Sequence, residues 1–309
     1  MMTALLLALL PIVLLIALGA GLRRHAVLSD AFWPQAERLS YYILLPALFI
    51  QSLASARLEG LPVGPMVAAL VASTVAVALC LLAARRFLSL ADPAFTSVFQ
   101  GGVRFNNYVG ISAAAGLLGA QGVALAAVAN AAIVPTVNIL CVLVFARYGR
   151  GGDASLRGIV RQLLRNPLVL ACLVGIALQA SGLSLPTGLD QTLKTLGQAS
   201  LALGLLCVGA ALDFSGARRW LHPLGLATLS KFALMPLATL LACHAFGLHG
   251  PAAVAALLFQ TLPTASSSYI MARQLGGDAP LMAGIIATQT LLASIALPLT
   301  LLGLAGGVR

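Results

Sequence analysis

The sequence predicts an all-α integral membrane protein with ten transmembrane helices, and three observations lead to this fold class. Of the 309 residues, 60% are hydrophobic and only 8% are charged, and the mean hydropathy is +1.01. Soluble domains carry about 25% charged residues. The apolar residues form continuous runs of about 20 residues, the length that a helix needs to cross a bilayer. Because these runs do not alternate apolar and polar residues, they exclude the strands of a membrane β-barrel.

Ten runs are long and apolar enough to be spans. The first run has no charged segment before it and no small-residue cleavage site after it, so we expect a span and not a signal peptide. The predicted spans cover residues 3–22, 36–54, 62–84, 93–118, 121–146, 166–183, 191–212, 220–244, 250–275 and 279–303. The five cysteines lie singly inside these runs, so we expect no metal and no cofactor.

The basic residues predict the orientation in the membrane. The net charge is +10, and most arginines lie in the odd-numbered loops: Arg23, Arg24, Arg85, Arg86, Arg147, Arg150, Arg157, Arg161, Arg165, Arg218 and Arg219. Basic loops stay on the cytoplasmic side, so a ten-span chain places both termini on the outer side. The longest basic loop, residues 147–165, is expected to lie on the cytoplasmic surface. No aromatic or polar residues are interleaved with these arginines, so nucleic acid is not an expected partner.

A weak internal repeat divides the chain into two halves. At a shift of about 160 residues, Phe99-Gln100 aligns with Phe259-Gln260 and Asn106-Asn107 with Ser266-Ser267. Five spans per half is an odd number, so the halves must enter the membrane from opposite sides. The sequence therefore predicts an inverted repeat, with residues 1–146 and 166–309 joined by the loop 147–165.

Polar residues concentrate in spans four and nine. Span four carries Arg104, Asn106 and Asn107 with glycines that include Gly110, and span nine carries Pro263 before its serines Ser266, Ser267 and Ser268. Glycine and proline weaken a helix, and unwound backbone is tolerated in a membrane only inside protein or along a watery cavity. We expect both spans to break and to cross, so that their helix N-termini form an anion site. The alternative is that these polar residues only join helices.

Other polar side chains inside spans extend the candidate binding site. Ser52, Asn130 and Gln289 are candidate substrate ligands, while Pro46 and Pro135, with Pro263 and Gly110, are assigned to helix breaking or gating. Arg104 and Lys231 are ionisable residues well inside spans, and such residues are functional candidates. No Asp or Glu lies in the middle of a span, so the cation excess favours an anion. Lys231 has a structural alternative, which is to pair with Asp213 or a carbonyl and only hold span eight. Arg104 has one too, because its side chain could snorkel toward the surface if span four is displaced by a turn.

The sequence resembles the auxin efflux carrier family, and within it the bacterial malonate and malate permeases. The matching segments are LLPALFIQSL in span two, FQGGVRFNNYVGISAAAGLLG in span four, NAAIVPTVNIL in span five and PTASSSYIMARQLGG in span nine. The resemblance implies ten helices in two inverted repeats, crossed broken helices, transport of organic anions by alternating access, dimers, and the bacterial inner membrane. It also places Asn106, Asn107 and Ser266–Ser268 at the crossing, where other members carry Asn in place of these serines.

Three functions remain as alternatives. The first is a secondary active transporter of small organic anions such as malonate, malate or auxin-like acids, with a proton or sodium ion as an open choice of coupling ion. The second is a cation-coupled carrier of the bile acid and sodium symporter type. The third, an intramembrane enzyme, is disfavoured because the sequence has no H-E-x-x-H motif and no pair of aspartates inside spans. The expected partners are the substrate, the lipid bilayer and a second copy of the chain.

Overall fold

The computed structural model describes residues 2–55, 62–150, 155–183, 185–211 and 217–304, which contain helices and turns and no strand. Asp213, the predicted alternative partner of Lys231, lies outside the described residues. The helices are α1 (Met2–Arg24), α2 (Phe32–Leu39), α3 (Leu45–Ala54), α4 (Val63–Ala84), α5 (Asp92–Val103), α6 (Asn107–Tyr148), α7 (Leu156–Arg165), α8 (Pro167–Ser181), α9 (Thr187–Ala210), α10 (Ala217–Leu229), α11 (Met235–Ala245), α12 (Gly250–Thr261), α13 (Ser266–Leu275) and α14 (Ala279–Leu304).

Within the described residues, five helical segments are long and apolar enough to cross a membrane, and three shorter apolar helices accompany them. The long segments are Val63–Phe87, Gln121–Tyr148, Thr187–Ala210, Trp220–Ala245 and Ala279–Leu301. The shorter helices are Val109–Gly119, Pro167–Ser181 and Gly250–Thr261. An all-helical membrane protein is therefore confirmed at the level of fold class, and the count of ten spans in two inverted repeats stays a prediction.

The predicted spans two and eight are each helical across a π-helical turn that precedes a proline. The turn Ser40–Leu44 joins α2 to α3, and the turn Ser230–Leu234 joins α10 to α11. Pro46 and Pro236 stand at the second position of the helices that follow. Proline has no N–H to donate to the preceding turn, and one extra residue per turn shifts the hydrogen-bond ladder so that this loss is accommodated.

Apart from α7, the helices form two groups. The first helix group contains α1, α2, α3, α8 and α9, in which α3 packs on both α8 and α9. Gly19 of α1 and Gly209 of α9 allow the closest approach, because a side chain on either would overlap backbone of the opposite helix. The second helix group contains α4, α5, α6 and α10 to α14, with α4 against α11 and α12 against α6.

Two interruptions lie inside the second helix group. The first break, residues 104–106, separates α5 from α6, and the second break, residues 262–265, separates α12 from α13. Arg104, Leu262 and Ala265 have extended backbone angles. Within α6 the chain also turns at Gly119, whose φ of 57° is left-handed, so that the residues before this glycine belong to the predicted fourth span and those after it to the fifth.

The predicted basic loop 147–165 is partly helical. Its residues 156–165 form α7, in which arginines alternate with leucine, isoleucine and valine at helical spacing. Residues 151–154 of this loop lie outside the described part of the chain. Three of the predicted odd-numbered loops meet at one end of the bundle, where Arg150 N donates to Gly276 O at 2.9 Å and Asp278 N donates to Pro93 O at 3.0 Å.

Candidate functional site

The two breaks contact each other through their backbones. Asn106 N in the first break donates a hydrogen bond of 2.7 Å to Pro263 O in the second. Thr264 N, also freed by the second break, donates to Gln289 Oε1 of α14 at 3.0 Å. Backbone groups at this depth need protein partners because lipid supplies none. Segments about 160 residues apart in the sequence are therefore held together at a common centre.

A small cavity of about 50 Å³ lies where the breaks meet, between them and α3. We call this the central cavity. Its polar lining consists of Ser52, Arg104, Asn106, Asn107, Asn138, Ser266 and Ser267, and its apolar lining of Leu45, Leu48, Phe49, Phe105, Val134, Val137 and Ala265. Six of the predicted ligands, all of these polar residues except Asn138, thus lie around one cavity. Both helix groups contribute walls, because Ser52, Phe49 and the two leucines belong to α3 and the other lining residues to the second group.

Arg104 is the cation of the central cavity. Its side chain is 3% exposed, and its guanidinium donates to Asn138 Oδ1 at 2.8 Å and to Ser267 Oγ at 2.9 Å. Its Nε atom has no hydrogen-bond partner in the structure. The three ion pairs found among the described residues do not include Arg104. The cavity therefore contains a positive charge held by neutral oxygens, an arrangement that attracts an anion.

The helices that leave the breaks add to this positive potential. α6 begins at Asn107 and α13 begins at Ser266, and both residues line the central cavity. The first N–H groups of a helix carry a partial positive charge and lack intrahelical acceptors. The Asn107 Oδ1 atom is buried and has no hydrogen-bond partner. Carboxylate oxygens would find here two sets of backbone donors next to a guanidinium.

Four of the predicted ligands do not line the central cavity. Ser268 and Gln289 hold the breaks from behind: Ser268 Oγ lies 3.1 Å from Thr264 Oγ1, and Gln289 Nε2 donates to Gly101 O and Ala227 O at 3.0 and 3.2 Å. Asn130 lies in α6 with a buried Oδ1 atom that has no partner. Lys231 lies in the π-helical turn of span eight, fully buried, and its Nζ atom has no hydrogen-bond partner in the structure.

The residues assigned to helix breaking occupy different places. Pro263 is part of the second break and supplies the carbonyl that Asn106 N contacts. Gly110 packs tightly, because a Cβ atom there would come within 2.7 Å of Leu262 and Phe259. Pro135 lies inside α6 between two cavity-lining valines. Pro46 follows the π-helical turn of span two and lies next to Leu45 of the cavity.

Two glutamines that the repeat aligns have supporting roles that sequence reasoning missed. Gln260 Nε2 donates to Leu70 O, Ser73 Oγ and Thr74 Oγ1, which joins α12 to α4. Gln100 Nε2 donates to Ser268 O at 3.2 Å, which joins α5 to α13. Each glutamine precedes a break by one turn or less, and the shared Phe-Gln pair of the two halves is the sequence signal for it.

A buried carboxylate, Glu37, was also missed. Glu37 is 3% exposed in α2, accepts a hydrogen bond of 2.7 Å from Tyr269 Oη, and forms an ion pair of 3.0 Å with Arg273 Nε. Tyr269 and Arg273 stand one turn apart on α13, so this triad joins the first helix group to the second. Glu37 was missed because it stands at the start of a predicted span and not in its middle, although the Tyr-x-x-x-Arg spacing of its two partners was visible in the sequence.

Comparison with known proteins defines the class. A family model described as membrane transport protein matches residues 4–301, which is nearly the whole chain. With this match, the helical fold and the cavity between the two contacting breaks identify a membrane transporter. The chain belongs to the auxin efflux carrier family. A search among curated proteins found no match.

Proposed function

We propose that this protein is a secondary active transporter of small organic anions, with carboxylates such as malonate and malate as its substrates. The observation that carries the proposal is Arg104, a buried guanidinium at the central cavity that is held by neutral oxygens and has no acidic partner among the described residues. Burying a cation of this kind costs free energy unless an anion pairs with it. The family match does not favour the sodium symporter alternative.

The chemistry of the central cavity suits a carboxylate. Arg104 presents a planar donor fork, and a carboxylate accepts two parallel hydrogen bonds from such a fork. The Ser267 hydroxyl now accepts from Arg104 and becomes free to donate when the carboxylate replaces it. The apolar wall of Leu48 and Phe49 from α3 covers the other side of the cavity and suits a short carbon chain. The small volume, about 50 Å³, favours compact acids.

The position of the cavity between the helix groups supports alternating access. A substrate at the breaks contacts the second helix group, while α3 of the first group covers it. A relative movement of the two groups would open the cavity to one side of the membrane and then to the other. We further propose that the chain consists of two inverted repeats, residues 1–146 and 166–309. We also propose that it forms a homodimer in the bacterial inner membrane, with both termini on the outer side.

A thermal-shift screen tests the proposal. The purified protein is heated with monocarboxylates and dicarboxylates, with and without sodium, at two pH values. A ligand that binds only the folded state stabilises it by about 2.7 kcal/mol at 100 times its dissociation constant, so malonate or malate should raise the melting temperature. Arg104→Gln should remove this shift. Lys194→Gln, at an exposed position in α9, is the matched control and should keep it. A screen in which no carboxylate stabilises the protein contradicts the proposal.

A further inference from the structure

Lys231 is a buried amine with no role in the central cavity. It lies in the π-helical turn Ser230–Leu234, its side chain is 0% exposed, and its Nζ atom has no hydrogen-bond partner in the structure. An isolated ammonium in such a place would lose its hydration with no compensating bond, a cost far larger than that of a neutral amine. Burial without a partner therefore disfavours the protonated form of Lys231 in this state of the protein.

The elements around Lys231 offer it no carboxylate partner. The turn packs against α5, α10, α11 and α12. α12 has no titratable side chain, α11 has only Cys243 and His244 in its last turn, and α10 has Arg218, Arg219 and His222 near its start. On α5 the one acid, Asp92, stands in the first turn and pairs with Arg85 at 2.7 Å. The cation at the other end of α5 is Arg104, whose partners are Asn138 and Ser267.

The same neighbours do offer hydrogen-bond acceptors. The Gln100 Oε1 and Gln260 Oε1 atoms are buried and have no hydrogen-bond partner. These glutamines stand on α5 and α12, two of the helices that pack against the turn. A protonated amine must donate hydrogen bonds, and a neutral amide oxygen accepts them. Two of the helices that pack against the turn therefore each carry a buried amide oxygen without a partner, and neither oxygen bonds the Lys231 amine in this state.

A short path connects Lys231 with the substrate. Ser230, its neighbour in the turn, lies against Gly102 of α5, where an added Cβ atom would come within 3.2 Å of Ser230 Cβ. Two residues after Gly102, the first break begins at Arg104, which lines the central cavity. The Gln289 side chain donates to Ala227 O and Gly101 O and accepts from Thr264 N. It thereby connects α10, α5 and the second break. In a water-poor interior the charge of a bound anion is weakly screened over such a path.

We propose that Lys231 is the proton-binding site that couples this transporter to protons. This assignment rests on the proposed function. When a carboxylate binds at the breaks, the lone pair of the Lys231 amine takes one proton from water on the side to which the carrier is open. The resulting ammonium gives that proton back when the carboxylate leaves. One proton then accompanies each anion, and Lys231 acts without touching the substrate.

Uptake into proteoliposomes tests the proposal, with labelled malonate as the probe and the membrane voltage clamped at zero. One coupled proton gives roughly tenfold accumulation for each pH unit that the interior is more alkaline. Wild type should accumulate malonate in this way, and Lys231→Gln should only equilibrate it while still exchanging internal for external malonate. Lys194→Gln changes the chain's other lysine, which is exposed, and should accumulate like wild type. Accumulation that persists in Lys231→Gln, or that is absent from a wild type active in exchange, overturns the proposal.

A second measurement does not depend on the folding of the glutamine variant. In weakly buffered detergent solution, a pH indicator should record about one proton taken up per malonate bound to wild type. Lys231→Arg, whose guanidinium stays charged, should bind malonate with no proton uptake. Malonate binding to wild type without proton uptake overturns the assignment by itself. If wild type neither binds nor exchanges malonate, the proposed function fails instead.

Discussion

Asn106 joins the two breaks through its backbone and lines the central cavity with its side chain. Asn106→Ala keeps the backbone bond to Pro263 and removes the side-chain amide. Because a hydrogen bond to a charged group contributes about 1.5–3 kcal/mol, we expect malonate affinity to fall roughly 10- to 150-fold. Isothermal titration of both proteins with malonate measures this loss. An unchanged affinity would mean that the Asn106 side chain does not contact the substrate.

The sequence predicted the residues of the central cavity better than those that support it. Arg104, Asn106 and the serines of α13 could be found because a polar residue inside an apolar span is rare and the two clusters align. The contact of Asn138 with Arg104 could not be found in this way, because it depends on the direction in which the long Arg104 side chain points. Gln289 illustrates the same limit: its residue type is visible, but its bonds to the backbone of other helices are set by packing.

At the scale of helices, the first turn of α6 packs closely against the second break and the end of α12. A Cβ atom at Gly110 would come within 2.7 Å of the buried Leu262 and Phe259. Overpacking of this kind costs about 1–3 kcal/mol, so Gly110→Ala should lower the melting temperature. Gly225→Ala in α10 is the control, because its Cβ atom would meet open space. Equal melting temperatures for the two variants would contradict the tight packing described here.

The triad of Glu37, Tyr269 and Arg273 connects α2 with α13, and we expect it to hold the two helix groups in the present arrangement. Glu37→Gln keeps the size of the side chain and removes the ion pair. Since Arg273 is partly exposed and stays hydrated, the loss is expected at the low end of the range for charged hydrogen bonds, about 1.5 kcal/mol. The arrangement should then open roughly tenfold more often.

Alkylation of a cysteine in the central cavity measures this opening. Leu48→Cys, in a background with Cys80→Ala, places a thiol on the cavity wall. A membrane-impermeant reagent should modify it about tenfold faster when Glu37→Gln is added. Asp190→Asn serves as the control, because Asp190 bonds Gln51 within the first helix group. Equal rates in Glu37→Gln and Asp190→Asn would show that the triad does not hold the groups together.

The fold class of the whole molecule followed from composition, because only a membrane satisfies so much apolar surface with so few charges. The breaks followed from glycine, proline and polar residues inside apolar runs. The arrangement of the helices into two groups could not be predicted, because the sequence pattern does not distinguish one apolar helix face from another. The close approach of α1 and α9 through Gly19 and Gly209 is visible only when both helices are present.

The orientation of the molecule can be tested with two exposed positions. Val27 lies between α1 and α2 in a loop predicted to be cytoplasmic, and His249 lies before α12 in a loop predicted to be outside. In a background with Cys80→Ala, an impermeant thiol reagent added to intact cells should label His249→Cys and spare Val27→Cys. Labelling with the opposite pattern would reverse the orientation inferred from the arginines.

The neutral partners of Arg104 give the transport cycle an electrical character. In the cycle proposed above, a carrier with an empty cavity moves one positive charge through the membrane field. A dicarboxylate together with Arg104 and a protonated Lys231 would move as a neutral unit. A membrane potential of 100 mV changes the free energy of one charge that crosses the whole membrane by about 2.3 kcal/mol. An interior-negative voltage should therefore hold the empty carrier facing inward and slow net uptake, while exchange of malonate for malonate proceeds at the same rate.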